Sequence, residues 1–311
     1  MIDTSKFNSL LEVATTFADE QVCIDHLTAI RWNGNVASPF DPTSKVYVCK
    51  GNKYKCKNTG KYFNVRTQTL FDNSKIKLSK WIVAIYLVTS HKKGISSIQL
   101  GKDIGVTQKT AWFMLQRIRA CFGMDNNEDN QLKGEVQIDE TYVGGSIKNM
   151  HGAKAKKVRA LKKAGHQVKS AVLGILETDG KLYVKHIKKA DNKNILPLLG
   201  ANINKSATIV TDNFGVYRGL DRYFNKHVVV SHSRGEYVVD GFHTNSIEGF
   251  WSHFKRSILG IYHHVSPKHL TKYLNESAFR YNTRHGNEAE RMNLMFANIG
   301  TRTTYKTLIN G

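Results

Sequence analysis

The spacing of apolar positions divides the chain into a largely helical front part and a mixed part behind it. Apolar residues recur at helical spacing in residues 1–30, which predicts a short pair of amphipathic helices, and again in residues 80–88. Between them, residues 45–56 read as a β-hairpin around the turn at 50–53, and residues 62–65 as a further strand. The front of the chain is therefore expected to combine helices with a small antiparallel sheet.

Residues 96–119 have the pattern of two helices joined by a sharp turn. Gly105 can supply the turn, and Thr107 is a candidate N-cap for the second helix. The first helix is expected to have Ile98 and Leu100 on its apolar side. The second is expected to bury Ala111, Met114, Leu115 and Ile118 and to leave Gln108, Lys109, Arg117 and Arg119 outside. The pattern is typical of a helix-turn-helix, although helical pairs that never touch DNA share it.

If the pair does bind DNA, its second helix would enter a major groove with its N-terminal residues at base edges. Those residues are Gln108, Lys109 and Thr110.

The part of the chain behind residue 131 alternates between strand and helix patterns. Residues 125–131 are polar and aperiodic, which predicts a linker. Strands are expected at about 135–143, 169–177, 181–189, 207–212 and 226–231, with a helix at about 192–202 and a hairpin turn at Asp179-Gly180. The order of three strands, helix, strand, helix, strand, helix is that of an RNase H-like α/β fold.

Three acidic residues stand at positions that suit a metal-dependent phosphodiesterase. Asp139 and Asp212 each end an apolar strand pattern, and Glu248 lies in a helical pattern. One face of that helix carries Ile247, Trp251, Phe254 and Ile258, and another carries Asn245, Glu248, Ser252 and Lys255. Taken singly, each acid is explained as well by a turn, a cap or a solvated helix face. Together, the three favour a site for two Mg²⁺ or Mn²⁺ ions, with Lys255 at a phosphate.

The charge of the chain points to a polyanionic partner. Of its 311 residues, 46 are basic and 25 acidic, which gives a net charge of +21. A basic ribosomal or membrane-surface protein would share this balance, but the distribution favours DNA. No acidic residue occurs from Thr141 to Leu176, and a DNA-contacting loop or hairpin is expected there. Its basic residues are Lys148, Lys154, Lys156, Lys157, Arg159, Lys162, Lys163 and Lys169, and Arg117, Asn245 and Arg256 are further candidate DNA contacts.

Length and composition exclude other classes of protein. The chain is too long for one small core and suggests two or three domains. No apolar run approaches the roughly 18 residues that span a membrane, and no secretory leader is visible, so a cytoplasmic, nucleoid-associated site in a bacterial cell is expected. The four cysteines are irregularly spaced and imply no disulfide framework.

Several motifs, taken together, resemble those of one family over nearly the whole chain. They are Ile138-Asp139-Glu140-Thr141-Tyr142-Val143-Gly144-Gly145, Thr211-Asp212, the helix from His243 to Arg256, Gly260-Ile261-Tyr262-His263-His264, and Phe279-Arg280-Tyr281-Asn282-Thr283-Arg284. In these motifs the chain resembles the DDE transposases of bacterial insertion sequences, of the "fifteen-ninety-five" or ISXO type.

The resemblance implies an enzyme that binds the terminal inverted repeats of its element, cuts at the ends and joins the 3′-OH to target DNA. Double-stranded DNA would be its partner and Mg²⁺ or Mn²⁺ its cofactor, in a homo-oligomeric DNA complex without a membrane. The implied fold is multi-domain, with a zinc-ribbon-like β region and a helix-turn-helix before the RNase H-like catalytic domain. The expected divisions are residues 1–72, 73–124, 133–285 and a tail at 286–311.

The chain departs from the family at the zinc ribbon. Members usually carry two Cys-x2-Cys pairs ahead of the helix-turn-helix, whereas Ser38, Asp41 and Thr59 stand at three of those positions here and only Cys56 remains. A structural zinc site normally needs four good ligands, so no zinc is expected and the β region is regarded as degenerate.

Two other functions stay open at the level of the sequence. One is a domesticated or decayed transposase that binds DNA and regulates. The other is an RNase H-like, structure-specific nuclease such as a Holliday-junction resolvase, which would have little use for a helix-turn-helix.

Overall fold

The chain forms two compact units. The structure, a computed structural model, describes residues 2–4, 7–123, 131–145, 147–164, 167–231 and 235–310. The first unit consists of Met1–Gly123 together with Thr283–Gly311, and the second of Met124–Asn282. Apart from Gln131, the linker predicted at 125–131 lies outside the described residues. The division into four segments stays a prediction.

The first unit combines helices with a three-stranded antiparallel sheet, as the apolar spacing predicts. Its elements are α1 (Leu10–Thr16), α2 (Glu20–Trp32), β1 (Val46–Cys49), β2 (Lys53–Cys56), β3 (Tyr62–Phe63), α3 (Leu78–Ser90), α4 (Ser97–Asp103) and α5 (Gln108–Ala120). The strand order is β1-β2-β3, and Val46 pairs with Cys56 across the hairpin.

The C-terminal residues complete the first unit. They form α10 (Glu288–Ala297) and α11 (Tyr305–Asn310), and α10 packs against α3 with Met292, Met295 and Phe296 buried. The backbone N–H of Leu70 donates to the carbonyl of Ile299 at 2.9 Å. This part of the chain is therefore integral to the core of the first unit.

Helices α4 and α5 form where the sequence predicts two helices. Gly105 has a φ of +61° between them, and the Thr107 hydroxyl accepts the N–H of Thr110 at 3.3 Å as an N-cap. The four residues predicted to be buried on α5 are buried, as is Leu100 on α4. The prediction for Ile98 is wrong, because 61% of this residue is exposed.

Arg117 and Arg119 are buried, which corrects the prediction that they face solvent. Helical periodicity alone does not reveal what covers a face. Arg117 donates through Nη1 to the carbonyls of Leu70 and Asp72, both at 2.8 Å, and its guanidinium lies 4.5 Å from the Phe113 ring centre. Its hydrogen bonds therefore stabilise the first unit, and burial removes Arg117 from the candidate DNA contacts.

A buried thiol among hydroxyl groups lies at the end of β2. Cys56 is fully buried, and the hydroxyls of Ser38, Ser44 and Thr59 lie near enough to its sulfur to affect its pKa. Burial opposes the thiolate, but these donors and a backbone N–H outweigh it and lower the pKa of Cys56 from 9.0 to about 6. The Ser38 hydroxyl also accepts two backbone N–H groups, at 3.2 and 3.4 Å. We call these four residues the thiol–hydroxyl cluster.

The second unit has a mixed α/β fold. Its elements are β4 (Glu135–Val143), α6 (Gly152–Lys163), β5 (Ser170–Glu177), β6 (Leu182–Ile187), α7 (Asn192–Asn202), β7 (Thr208–Thr211), β8 (Lys226–Val229), α8 (Asn245–Ser257) and α9 (Pro267–Asn282). The five strands occur where the sequence predicts strands, in the sheet order β6-β5-β4-β7-β8. Strand β5 pairs antiparallel with both β4 and β6. Strand β7 pairs parallel with both β4 and β8.

Two expectations for the second unit are wrong. The basic segment forms helix α6 where a loop or hairpin was expected. Between β7 and β8, where a helix was expected, the chain forms two short 3-10 turns, Gly215–Tyr217 and Leu220–Arg222. A single 3-10 turn is too short to give a helical repeat of apolar residues, and Gly219, with φ of +82°, separates the two.

Buried residues line both faces of the five-stranded sheet. One cluster includes α7 and Tyr217, and the other includes α8 and α9. The predicted apolar face of α8 is confirmed, since Ile247, Trp251 and Phe254 are buried and Ile258 packs partly buried against them. No helix among the described residues is long and apolar enough to cross a membrane.

Candidate active site

Asp139 and Asp212 occupy equivalent positions on neighbouring parallel strands. Ile138 of β4 is in register with Thr211 of β7, and each aspartate is the next residue along its chain. Neighbouring strands lie about 4.8 Å apart, so the two backbone positions are close. Asp212 accepts the N–H of Phe214 through Oδ1 at 3.0 Å, which fixes its side chain against the turn that follows β7.

Glu248 approaches the same sheet from α8. It belongs to the exposed side of that helix, and Thr244 Oγ1 donates to its Oε1 at 2.9 Å. Lys255 is also exposed and lies two helical turns, about 10 Å, further along α8. The predicted separation of the apolar and the polar face of α8 is therefore present in the structure.

Close packing allows α8 to lie against the strand beside Asp139. Asp139 is paired with Gly174 of β5. A Cβ atom at Gly174 would lie 2.6 Å from Cζ2 of Trp251 and 3.0 Å from Cδ1 of Ile247. A glycine is thus required where the helix that carries Glu248 crosses β5.

Gln137 ties the strand of Asp139 to the helix of Glu248. It is fully buried, and its Oε1 accepts the backbone N–H of Ile247 in the first turn of α8 at 3.2 Å. Its Nε2 lies 3.2 Å from Thr178 Oγ1. Sequence reasoning missed this residue, although a glutamine two positions before Asp139 in an apolar strand was a usable signal.

Carboxylates surround Asp139 and oppose its ionisation. Burial is the largest cause, followed by the negative charges of Glu140, Asp212 and Glu248, and together they raise the pKa of Asp139 from 3.8 to about 7. A backbone N–H acts weakly in the other direction. Asp212 and Glu248 are therefore near enough to Asp139 to raise its pKa.

A fourth carboxylate, Glu140, has a partner of its own. Burial raises its pKa, and the buried Tyr217 hydroxyl lowers it by donating to Oε2 at 2.7 Å. Sequence reasoning missed this pair as well. Tyr217 lies in a 3-10 turn that was expected to be a helix, so its alignment with Glu140 could not be read from a periodic pattern.

The acidic side chains do not converge on a point in this structure. Within the residues that the structure describes, no group of three or more His, Cys, Asp or Glu side chains is arranged to hold one metal ion. The donor chemistry nevertheless suits hard divalent cations, because the donors are carboxylate oxygens and their mutual repulsion is what a cation relieves. Asp212 and Glu248 are each held by one local hydrogen bond, from the N–H of Phe214 and from the hydroxyl of Thr244.

The candidate DNA-binding residues fall in both units. In the first unit, Gln108 and Lys109 are exposed at the start of α5, and Gln108 Nε2 donates to Ser97 Oγ at 2.8 Å. Thr110 is half-buried beside Thr107. The second unit exposes Lys148, Lys154, Lys156, Lys157, Asn245 and Arg256.

Comparisons with known proteins agree with the resemblance seen in the motifs. A family model described as the ISXO2-like transposase domain matches residues 131–282, which are almost the whole second unit. The chain is also similar to a protein of Halobacterium salinarum described as an uncharacterized protein in transposable element ISH50. The two are 31% identical over 271 residues, which cover 83% of this chain and 90% of that protein.

Proposed function

The chain belongs to the ISXO2-like transposase family, and we propose on that premise that it cuts and joins DNA at the ends of its own insertion sequence. The observation that carries the proposal is the adjacent pair Asp139 and Asp212 on parallel strands, with Glu248 close enough to raise the pKa of Asp139. Carboxylates that repel one another in this way stabilise a protein poorly on their own and serve well as cation ligands.

Asp139, Asp212 and Glu248 would hold two Mg²⁺ or Mn²⁺ ions. When bound, the ions would supply activation of a water or 3′-OH nucleophile and neutralisation of charge on the leaving oxygen. Thr244 orients Glu248, and the Tyr217 hydroxyl holds Glu140 by one oxygen. Lys255 is proposed to bind a phosphate next to the scissile bond, where a point charge is sufficient.

The catalytic domain is proposed to be RNase H-like. The order β6-β5-β4-β7-β8, in which only β5 runs antiparallel to the other four strands, supports this assignment. In it β4 and β7 pair with Ile138 opposite Thr211, so the two aspartates that follow these residues are neighbours. A fold alone does not determine function, so the assignment depends on the carboxylates as well.

Recognition of the terminal inverted repeats is proposed for α4 and α5 as a helix-turn-helix. Gln108, Lys109 and Thr110 would read base edges, while the basic residues of α6, with Lys148, Asn245 and Arg256, would bind phosphates. An element has two ends that must be cut and joined together. We therefore expect a homo-oligomer in the complex with double-stranded DNA.

Cleavage assays test the proposal directly. Asp139→Asn, Asp212→Asn and Glu248→Gln should each abolish Mg²⁺-dependent cleavage of a labelled duplex made from the flanks of the gene, while duplex binding persists. Asp179→Asn is the matched control, because Asp179 lies in an exposed turn at φ of +58°, which asparagine also adopts.

The same assay separates the other functions. Binding without cleavage by the unsubstituted protein would favour a DNA-binding regulator. Preferential cleavage of a branched junction would favour a structure-specific nuclease.

A further inference from the structure

A cavity of about 270 Å³ lies between the end of β4 and helix α6, outside the carboxylate site. Its walls are largely apolar and include Tyr142, Met150, Val158 and Val168. Lys162 and Lys169 also line it. Tyr142 keeps 41% of its surface exposed, so its ring is available to a ligand.

The chemistry of the cavity fits a flat ring system attached to an anion. An aromatic ring with aliphatic neighbours stacks on a planar ring, and lysines bind the attached negative charge. The surrounding segment is uniformly basic, since Thr141–Leu176 contains no acidic residue. A nucleobase with its phosphate has both properties.

Only an unpaired base can enter such a cavity. A base within a duplex is covered on both faces by its neighbours, and its pairing edge is occupied, so it must leave the stack to reach an aromatic side chain. Stacking on a tyrosine also requires no particular base, because every base has a π-face.

The cavity and the proposed cleavage site share one β-strand, since Tyr142 and Asp139 both belong to β4. Tyr142 is three residues beyond Asp139 on β4, a backbone separation of about 10 Å, and its side chain points to the opposite face of the strand because side chains alternate. A DNA strand that reaches the cavity from the carboxylate site therefore has to pass the edge of β4 beyond Ile138, where β7 no longer pairs with it. A base at a cut end unpairs more readily than one within an intact duplex, because it is stacked on one side only.

We propose that this cavity binds one unpaired nucleobase of the DNA strand near the cleaved end, with Tyr142 as the stacking surface and Lys162 and Lys169 at the phosphate. The proposal rests on the proposed function for the source of the DNA. Its binding chemistry is independent of cleavage and is tested without it.

The test compares two fluorescein-labelled DNAs by anisotropy in the presence of EDTA. One is a blunt duplex, and the other is the same duplex with a short 3′ thymidine overhang. The protein should prefer the overhang, and Tyr142→Leu should weaken overhang binding about tenfold, the scale of one lost base–aromatic stack, with little change for the blunt duplex. Tyr142→Phe keeps the ring and should bind both DNAs as the unsubstituted protein does.

Control variants separate this pocket from general DNA affinity. Tyr223→Leu replaces another exposed tyrosine of the second unit and should change neither affinity. In the unsubstituted protein, 5-iododeoxyuridine in the overhang should cross-link to Tyr142, which requires no variant to fold.

Two results would overturn the proposal. One is overhang binding by Tyr142→Leu equal to that of the unsubstituted protein, and the other is an equal loss for both DNAs. Loss of cleavage with an intact Tyr142-dependent preference would contradict only the proposed function, whereas normal cleavage without this preference would contradict only the base pocket.

Discussion

Two buried acids of this chain, Cys56 and Asp139, have pKa values shifted in opposite directions. The pKa of Cys56 falls from 9.0 to about 6, and that of Asp139 rises from 3.8 to about 7. Burial opposes the charged form of both groups. The difference lies in their neighbours, which are hydrogen-bond donors around Cys56 and carboxylates around Asp139.

This difference indicates which site needs a cation. In the thiol–hydroxyl cluster, hydroxyls stabilise the negative sulfur, which is what a zinc ion does for the thiolates of a zinc ribbon. At Asp139 the neighbours destabilise the charge, so a divalent cation would relieve the repulsion. We therefore propose that the thiol–hydroxyl cluster needs no zinc and that a divalent cation would stabilise the carboxylate site.

The largest effect is expected from breaking the contact that holds the carboxylates in position. Gln137→Leu removes the acceptor of the Ile247 N–H and should lower the free energy of unfolding by about 1–3 kcal/mol. Cleavage should fall about 10–100-fold, the range for a group that supports metal ligands from behind. Gln131→Leu makes the same change of residue type elsewhere in the second unit and serves as the control.

If Gln137 stabilised the fold without positioning Glu248, Gln137→Leu would give a different result. The variant would then lose stability but cleave at the normal rate below its melting temperature, with an unchanged Mg²⁺ dependence. Normal kinetics of this kind would remove Gln137 from the positioning of Glu248.

A smaller effect should separate the two sites by their response to Mg²⁺. Saturating Mg²⁺ should raise the melting temperature of the protein by about 5 °C, since binding at roughly 100 times the dissociation constant stabilises by about 2.7 kcal/mol. Asp139→Asn should melt higher than the unsubstituted protein in EDTA, because one repelling carboxylate is gone, and should respond less to Mg²⁺. An equal Mg²⁺ response in the variant would contradict the assignment of Asp139 as a ligand.

A change of pH should reveal the thiol–hydroxyl cluster. Because the pKa of Cys56 is lower in the folded protein than in the unfolded chain, its contribution to stability is complete above about pH 9 and is lost as the pH falls through about 6. Cys56→Ser should remove this part of the pH dependence in urea unfolding. Cys121→Ser is a control, since burial raises the pKa of Cys121 to about 12. An unchanged pH profile in Cys56→Ser would contradict the thiolate.

No effect at all is expected from the removal of zinc by a chelator. Purified protein should contain no stoichiometric zinc, and chelation should not unfold residues 31–72. Aromatic packing holds this region, including Trp32 against Tyr54 and Phe63 with ring centres 5.5 and 6.1 Å apart. About one zinc per chain by elemental analysis, lost on Cys56→Ser, would contradict the prediction.

The sequence was sufficient where a contact follows from a repeating pattern. Short apolar runs predicted the strands of the second unit, and helical spacing predicted the buried face of α8. The pairing of β4 with β7, which makes Asp139 and Asp212 neighbours, was established only by the structure.

The sequence was not sufficient where a contact joins distant and irregular segments. Arg117 meets the carbonyl of Leu70, and Gln137 meets the N–H of Ile247, across long stretches of chain. Helical periodicity located Arg117 on a face without showing which segment covers that face. The donors around Cys56 were likewise hidden, because hydroxyl residues in turns are common and their direction depends on the folded backbone.

The completion of the first unit by residues 283–311 has a consequence for synthesis of the protein. During translation, residues 124–282 leave the ribosome before α10 can pack against α3, so the core of the first unit closes only after the second unit has been made. A nascent chain interrupted in between would have a complete set of strands for the proposed catalytic sheet and an open core in the unit that carries α4 and α5. Stable docking of those helices on DNA is thus expected only after the C-terminal helix has emerged.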